Sequence, residues 1–225
     1  MLSNTQGNMV MDDPQSIIKC SNKVYLAELL FSHQIMTPET TFISKYDERL
    51  PKIEFPCVLK KPDSAFSHGV VKIEDKKALQ KSLGQFFKTS DLIVVQPFIP
   101  TEFDWRIGVL DNKVLFACRY FMAKGHWQIY DWHGAQEKKD GESETLPIQD
   151  VPDAIIKIAL KCTRLIGDGL YGVDIKSHGD THYVIEVNDN PNIDFGIEDK
   201  ILGENLYHQI MTVFMQRIRR KHGYV

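Results

Sequence analysis

Three features are missing or scarce in this 225-residue sequence, and each absence excludes a class of protein. Uninterrupted apolar stretches such as Leu92 to Val95 are far shorter than the roughly 20 residues of a membrane-spanning helix. The formal net charge is only -3, so no general field attracts nucleic acid or an anionic membrane. The N-terminus is polar and lacks the basic-then-apolar order of a signal peptide. We therefore predict a cytoplasmic protein with no membrane and no nucleic-acid partner.

Cysteine is also scarce, and its spacing excludes two further classes. The four cysteines form no CxxC pair and have no histidine partners at zinc-finger intervals. This pattern predicts reduced thiols in the cytosol rather than a disulfide framework or a structural zinc site. The hydrophobic share of 43% is enough to bury a core, in one domain or two small lobes.

The apolar patterns along the chain predict a mixed α/β (α+β) protein. Residues at helical spacing predict helices at about 22–34, 74–88, 153–166 and 204–221. Short apolar runs predict strands at about 40–44, 57–60, 69–73 and 92–96, and two hairpins follow at 104–120 and 171–188.

The first hairpin, residues 104–120, carries two arginines on one predicted face. The Asp-Asn dipeptide at 111–112 is a typical two-residue turn, and its register pairs Asp104 with Arg119. Because side chains alternate along a strand, this register predicts one wholly apolar face and a second face with Asp104, Arg106 and Arg119. Two arginines beside small or aliphatic neighbours indicate an anionic ligand.

The second hairpin, residues 171–188, predicts a site built from oxygen ligands. If its loop has an odd number of residues, Asp174 lies opposite Glu186 and the reverse face is apolar throughout, whereas an even loop mixes the faces. The hydrophobic pattern therefore selects the register that joins Asp174, Glu186 and Asn188. Two carboxylates and an amide oxygen suit magnesium when phosphates and water complete its shell. The alternative is a pair of solvated acidic side chains.

The loop at residues 61–68 lies between two predicted strands and can fold over a polyphosphate. Its hydroxyls include Ser67, and Gly69 follows it. Lys60 precedes the loop at the end of an apolar strand, where its charge can meet phosphate oxygens. The loop matches neither the P-loop nor the dinucleotide-binding pattern, so an ordinary hairpin loop is the alternative.

Six short segments follow one another along the chain: Asn22-Lys23, Pro56-Cys57-Val58-Leu59-Lys60, Gln96-Pro97-Phe98-Ile99, Asp104-Trp105-Arg106, Gly172-Val173-Asp174-Ile175 and Glu186-Val187-Asn188-Asp189-Asn190-Pro191. Their order and spacing resemble the ATP-grasp superfamily, and within it the RimK-type carboxylate-amine ligases. The resemblance implies an ATP-grasp fold of two lobes, each built on an antiparallel sheet and helices, with ATP between them. The smaller lobe would span about 40–96 and the larger about 97–225, with 22–39 packing alongside.

The resemblance also implies a role for each matching residue. The ATP phosphates would be held by Lys23 and Lys60 and covered by the loop with Ser67 and Gly69. The adenine would meet the hinge residues Gln96, Pro97, Phe98 and Ile99, and the ribose would meet Asp104. Two magnesium ions, with manganese as a substitute, would be bound by Asp174, Glu186 and Asn188, with Glu186 as the bridge.

Catalytic and substrate-contact residues are the remaining candidates. Arg106 and Arg119 would stabilise transition states that are rich in negative charge. His126 and Gln128, in a loop rich in aromatic and polar residues, and Asn190 are the candidates for contact with substrate. For the His126 loop, ordinary packing is the alternative.

Residues 1–21 are predicted to be an N-terminal extension, and residues 22–225 the ATP-grasp domain. Ligases of this type normally carry a further domain before the helix that begins at Lys23, and we expect that domain to be absent here. The partners implied are amino acids or peptides that supply the carboxylate and the amine. A homo-oligomer and a separate N-terminal domain partner both remain open.

The function implied by the resemblance is ATP- and magnesium-dependent amide-bond formation through an acyl phosphate. Two alternatives remain open, namely a kinase that phosphorylates a hydroxyl and a nucleotide-binding module without activity. The intact set of Asp174, Glu186 and Asn188 argues against the inactive module.

Overall fold

The computed structural model describes residues 9–64, 69–131 and 139–224. These residues contain five α-helices: α1 Pro14–Ser21, α2 Lys23–Ser32, α3 Lys76–Phe86, α4 Asp153–Ile166 and α5 Glu204–His222. They also contain eleven strands: β1 Thr41–Ser44, β2 Cys57–Lys60, β3 Val70–Ile73, β4 Leu92–Pro97, β5 Phe103–Leu110, β6 Lys113–Phe121, β7 Tyr130–Asp131, β8 Lys139–Asp140, β9 Ser143–Leu146, β10 Leu170–His178 and β11 Thr181–Asn188. Among the described helices, none is both long and apolar enough to cross a lipid bilayer.

The first four strands form an antiparallel sheet in the order β1, β4, β2, β3. Helix α3 begins after Asp75, whose carboxylate accepts a hydrogen bond from the backbone N–H of Ala78. The apolar stripe of α3, with Leu79 and Leu83, packs on buried residues of this sheet. Lys60 is the last residue of β2, so this strand carries it from the core to the loop that follows.

Five later strands form a second antiparallel sheet in the order β11, β10, β5, β6, β9. One face is buried under α1, α2 and α4, with Trp105, Ile107 and Val173 in the core. The opposite face is divided in two. Leu206 of α5 covers an apolar part of it, and the remaining part carries the charged pair Arg106 and Asp174, which lie opposite each other on β5 and β10.

Helix α1 anchors the N-terminal part of the chain to the second sheet. Asp13 caps this helix by accepting a hydrogen bond from the Gln15 N–H at 2.8 Å. Ser16 is fully buried, and its hydroxyl lies 2.8 Å from that of Tyr171. No helix is predicted here from the sequence, although Asp followed by Pro is a common helix start.

A β-bulge in the first hairpin shifts its register by one residue. The turn at 111–112 forms as predicted, with Asp111 and Asn112 both at positive φ. Between Gly108 and Val109 the pairing shifts, because Leu115 is an additional residue on β6.

The bulge places Arg119 on the face opposite to that of Arg106. Asp104 lies opposite Tyr120, and Trp105 lies opposite Arg119. The predicted pairing of Asp104 with Arg119 is therefore wrong, because a two-residue turn fixes the register only as far as the first bulge. Tyr120 takes the predicted place of Arg119 beside Arg106.

The second hairpin reaches the predicted register by a different route. Asp174 lies opposite Glu186, and the same register continues to Asn188, as predicted. The turn has only the two residues 179–180, so the predicted odd-numbered loop is wrong. A bulge at Ile185 supplies the extra residue that restores the pairing of the two carboxylates.

Gly108 at the first bulge offers a test of this register. A Cβ at Gly108 would overlap the ring of Phe116, whereas a Cβ at Gly84 in α3 meets no atom within 4 Å. We expect Gly108→Ala to lower the free energy of unfolding by about 1–3 kcal/mol. The matched change Gly84→Ala should raise it by about 0.5–1 kcal/mol, because alanine favours a helix. Urea unfolding measures both, and a neutral Gly108→Ala would contradict the register described here.

Candidate active site

A cleft of about 220 Å³ contains most of the residues predicted to form a site. It is lined by strand ends of both sheets and by the segments after β4, β6 and β11. The predicted residues that line it are Lys23, Lys60, Gln96, Pro97, Phe98, Ile99, Asp104, Arg106, Gln128, Asp174, Glu186, Asn188 and Asn190.

Asp174 is held by two neighbours on the floor of the cleft. Arg106 donates to both carboxylate oxygens, from Nε to Oδ1 and from Nη2 to Oδ2 at 3.0 Å. Asn188 donates from Nδ2 to Oδ2 at 3.1 Å. Burial raises the pKa of Asp174, and the Arg106 guanidinium opposes that rise. Burial also disfavours the charged form of Arg106. The charge of Asp174 and its hydrogen bonds with Arg106 together have the larger effect, so the pKa of the guanidinium is raised.

Lys23 connects the two halves of the cleft. Its backbone N–H donates to Pro62 O at 2.8 Å, and its Nζ donates to Ser64 O, both in the loop after β2. The same Nζ donates to Glu186 Oε1 at 2.9 Å, and Glu186 belongs to β11 of the other sheet. This position follows from the start of α2, where Asn22 caps the helix through the N–H groups of residues 24 and 25.

Lys60 reaches the cleft from the end of β2. Burial lowers the pKa of its ammonium to about 8, and the positive charges of Lys23 and Lys176 act in the same direction. Glu186 opposes this shift. An anion placed in the cleft would favour the charged form of Lys60, as expected of a phosphate ligand.

A second ion pair lies beside the first. Lys176 Nζ donates to Asp104 Oδ1 at 2.6 Å and to Thr101 Oγ1 at 2.8 Å. Both charged side chains are mostly buried, with 14% of each exposed. Asp104 therefore stands in the cleft with one carboxylate oxygen already bound to a cation.

The predicted hinge residues 96–99, at the end of β4 and directly after it, contact the loop that follows β6. Gln96 is buried and donates from Nε2 to Thr40 Oγ1 at 2.9 Å. The ring of Phe98 meets Trp127 edge to face, with 5.9 Å between centroids, and Lys72 Nζ lies 4.0 Å from the Phe98 centroid. Phe98 and Trp127 thus form an aromatic wall of the cleft.

Three of the predicted residues that the structure describes, Arg119, His126 and Gly69, do not line the cleft. Arg119 stacks on Trp105, 4.7 Å from the ring centroid, and pairs with Glu144 at 3.4 Å, so its predicted position in the cleft is wrong. His126 contacts Gln128 Oε1 at 3.3 Å but does not line the cleft. Gly69 begins the strand region after the loop with a φ of +69°. Ser67 lies outside the described residues.

Several lining residues are not predicted from the sequence. Tyr120 faces the cleft because of the β5–β6 bulge, and Ile185 does so because of the β10–β11 bulge. Lys176 could have been found, because it follows Asp174 by two positions and so shares its face. Asp194 follows the Asn-Pro-Asn segment with no signal of its own.

The predicted metal ligands in the cleft are hard oxygen donors. Within residues 9–64, 69–131 and 139–224, no three His, Cys, Asp or Glu side chains converge as a metal cluster. Asp174, Glu186 and Asn188 instead offer two carboxylates and an amide on neighbouring positions of β10 and β11. These donors fit magnesium, which prefers one or two carboxylates completed by phosphate oxygens and water.

Comparison with known proteins gives consistent matches. The model of the RimK-like ATP-grasp domain matches residues 20–214. The α-aminoadipate–LysW ligase LysX of Sulfolobus acidocaldarius is 30% identical over 81% of this chain and 66% of its own length. A probable alpha-L-glutamate ligase of Parasynechococcus marenigrum is 27% identical over 97% of this chain and 45% of its own.

The fold is also found among solved structures. The D-alanine–D-alanine ligase of Bacillus anthracis, solved in complex with ATP, superimposes with a TM-score of 0.77 over 98% of this chain and 75% of that one, at 20% identity. This likeness confirms the predicted ATP-grasp fold. The chain spans from under half to about two thirds of the length of the curated relatives just described. With the match over residues 20–214, the chain belongs to the RimK-like ATP-grasp domain family.

Proposed function

We propose that this chain carries the catalytic centre of an ATP-dependent carboxylate-amine ligase. One observation carries the proposal: Lys23, Lys60, Lys176 and Arg106 converge in a single cleft with the oxygen donors Asp174, Glu186 and Asn188. The family membership and the names of the relatives, which are ligases of amino acids, support the same reaction.

In this proposal, ATP lies between the two sheets. Lys23 and Lys60 hold the phosphates, Asp104 meets the ribose, and residues 96–99 meet the adenine. Magnesium would be held by Asp174, Glu186 and Asn188, where it neutralises phosphate charge when bound. One neighbour in fold was solved in complex with ATP, which supports ATP as the nucleotide.

The reaction has two steps. A substrate carboxylate oxygen attacks the γ-phosphorus, the bond to the bridging oxygen of ADP breaks, and an acyl phosphate forms. An amine then attacks the acyl carbon, phosphate leaves with the bonding pair, and the amine loses a proton. Arg106 is the guanidinium placed to stabilise the developing negative charge, and Asp174 orients it through two hydrogen bonds.

The substrates are proposed to be amino acids or short peptides. A screen of L-glutamate, L-2-aminoadipate, alanine and dipeptides should find a carboxylate that stimulates ADP release with MgATP. Added hydroxylamine should trap the acyl phosphate as a hydroxamate. ADP release with a phosphorylated hydroxyl and no hydroxamate would instead identify a kinase, and ATP binding without stimulated ADP release would identify an inactive module.

An arginine-to-lysine substitution, made separately at Arg106 on β5 and at Arg119 on β6, tests the role of Arg106. Arg106→Lys keeps the charge but loses the two-pronged contact with Asp174, so we expect turnover to fall by about 10- to 100-fold. Arg119→Lys should leave turnover within about twofold, because Arg119 lies on the opposite face against Trp105. Initial rates of hydroxamate formation measure both. Equal losses in the two variants would contradict the placement of these arginines.

Lys60 predicts a pH dependence of nucleotide affinity. Only the charged ammonium binds phosphate well, and its pKa of about 8 lies inside an accessible range. Affinity for MgATP should therefore be full below pH 7 and fall as the pH rises through 8, by about tenfold at pH 9. Calorimetry at several pH values should show this dependence in the parent and lose it in Lys60→Met. A parallel dependence in Lys60→Met would assign the titration to another group.

A further inference from the structure

The segment at residues 189–194 lines the cleft but has few attachments of its own. Asn190, Pro191, Asn192 and Asp194 all line the cleft, and only Pro191 among them is buried. In the described part of the chain, this segment makes two hydrogen bonds, both at Asp194: its N–H donates to Glu198 Oε2 at 2.7 Å, and its C=O accepts from Ile197 N–H at 3.1 Å. Buried Pro191 and the packing of Ile193 against the apolar cluster around Leu206 also hold the segment, and Glu198 supplies the only side-chain hydrogen bond to it in the described part of the chain.

Glu198 is a carboxylate with no exposed surface, at 0% relative accessibility. Its second oxygen, Oε1, accepts a hydrogen bond from the hydroxyl of Tyr120. Burying a carboxylate costs free energy unless it is hydrogen-bonded, so both contacts stabilise Glu198 in this position.

Tyr120 connects Glu198 to the floor of the cleft. Its side chain lines the cleft, and the Arg106 guanidinium carbon lies 5.5 Å from its ring centroid. Gly172 completes the arrangement, because a Cβ there would lie 2.8 Å from Pro191 Cβ and 3.0 Å from Arg106 Cδ. Arg106 and the 189–194 segment thus both come close to Gly172 at one end, and at the other end Tyr120 and Glu198 connect them.

We propose that Glu198 is a positioning residue, which fixes the 189–194 segment at a set distance from Arg106 through the hydroxyl of Tyr120. The segment carries amide and carboxylate side chains and no cation, so it suits an ammonium or amine group of a substrate. Glu198 then sets where the amine stands relative to the acyl phosphate. This inference rests on the proposed ligase function only for the identity of the group that the segment receives.

The neighbouring residue supplies a matched control. Asp199 is also buried, accepts a hydrogen bond from Tyr207 OH at 3.0 Å and accepts another from Gly196 N–H at 2.6 Å. Tyr207 does not line the cleft. Tyr120→Phe and Tyr207→Phe therefore each remove a tyrosine hydroxyl that donates to a buried carboxylate of the same turn. Only Tyr120 also lines the cleft.

Amide hydrogen exchange tests the tether without any need for turnover. We expect Tyr120→Phe and Glu198→Ala to speed exchange at Asp194 by at least about fivefold, and Tyr207→Phe to speed exchange at Gly196 instead. Glu198→Gln should retain most of the protection, because its amide oxygen still accepts from the Asp194 N–H and its NH₂ can donate to Tyr120. Unchanged exchange at Asp194 in Tyr120→Phe would overturn the proposal, even if Glu198→Ala fails to fold.

Binding and kinetics distinguish a positioning role from a merely structural one. With hydroxylamine as the amine probe and the carboxylate found by the screen, Tyr120→Phe should raise the KM for the amine by about tenfold. The MgATP affinity, measured separately by calorimetry, should stay within about twofold, and Glu198→Gln should restore the KM. Equal losses of amine and ATP affinity would overturn the proposal. Normal ATP binding with faster Asp194 exchange but no turnover in any variant would support the tether and count against the ligase.

Discussion

The cleft depends on one electrostatic constraint: charges taken out of water need partners. Asp174 with Arg106, Asp104 with Lys176 and Glu186 with Lys23 satisfy this requirement, with each carboxylate bound to a cation from another element. Two of these pairs tie neighbouring strands of the second sheet, and the third ties α2 and the loop after β2 to β11. Leaving one partner alone would cost several kcal/mol, so the pairs hold the cleft in shape before any ligand enters.

The same charges show how much of the site could be predicted. The apolar reverse face predicts that Asp174, Glu186 and Asn188 share one face, and the observed register agrees even though the predicted turn is wrong. The sequence does not predict the position of Arg119, because residues 114–118 around Leu115 are all apolar or cysteine and so do not reveal where a bulge shifts the alternation. Helices α3 and α4, whose apolar residues recur strongly at helical spacing, agree closely with expectation. The predicted lobe boundaries stay predictions, although the two sheets divide the strands near residue 97.

Buried polar groups mark the limit of sequence reasoning in this chain. Glu198 and Asp199 look like surface residues in a polar turn, and burial becomes possible only because Tyr120 and Tyr207 arrive from distant positions to donate hydrogen bonds. Ser16 in α1 is similar, since its burial depends on Tyr171. A single sequence carries the donor and the acceptor but not the contact between them. Tertiary structure is therefore needed to find the residues that position the site.

Charge balance adds a final argument about ligands. The lining contains four basic residues, Lys23, Lys60, Arg106 and Lys176, and four acidic ones, Asp104, Asp174, Glu186 and Asp194. ATP brings about four negative charges at neutral pH, and divalent cations are the usual means of neutralising them at such sites. The basic side chains cannot neutralise this charge alone, because Lys23, Arg106 and Lys176 are each already paired with a carboxylate. Two divalent ions would match the charge of the nucleotide, which supports the proposed role of magnesium at Asp174, Glu186 and Asn188.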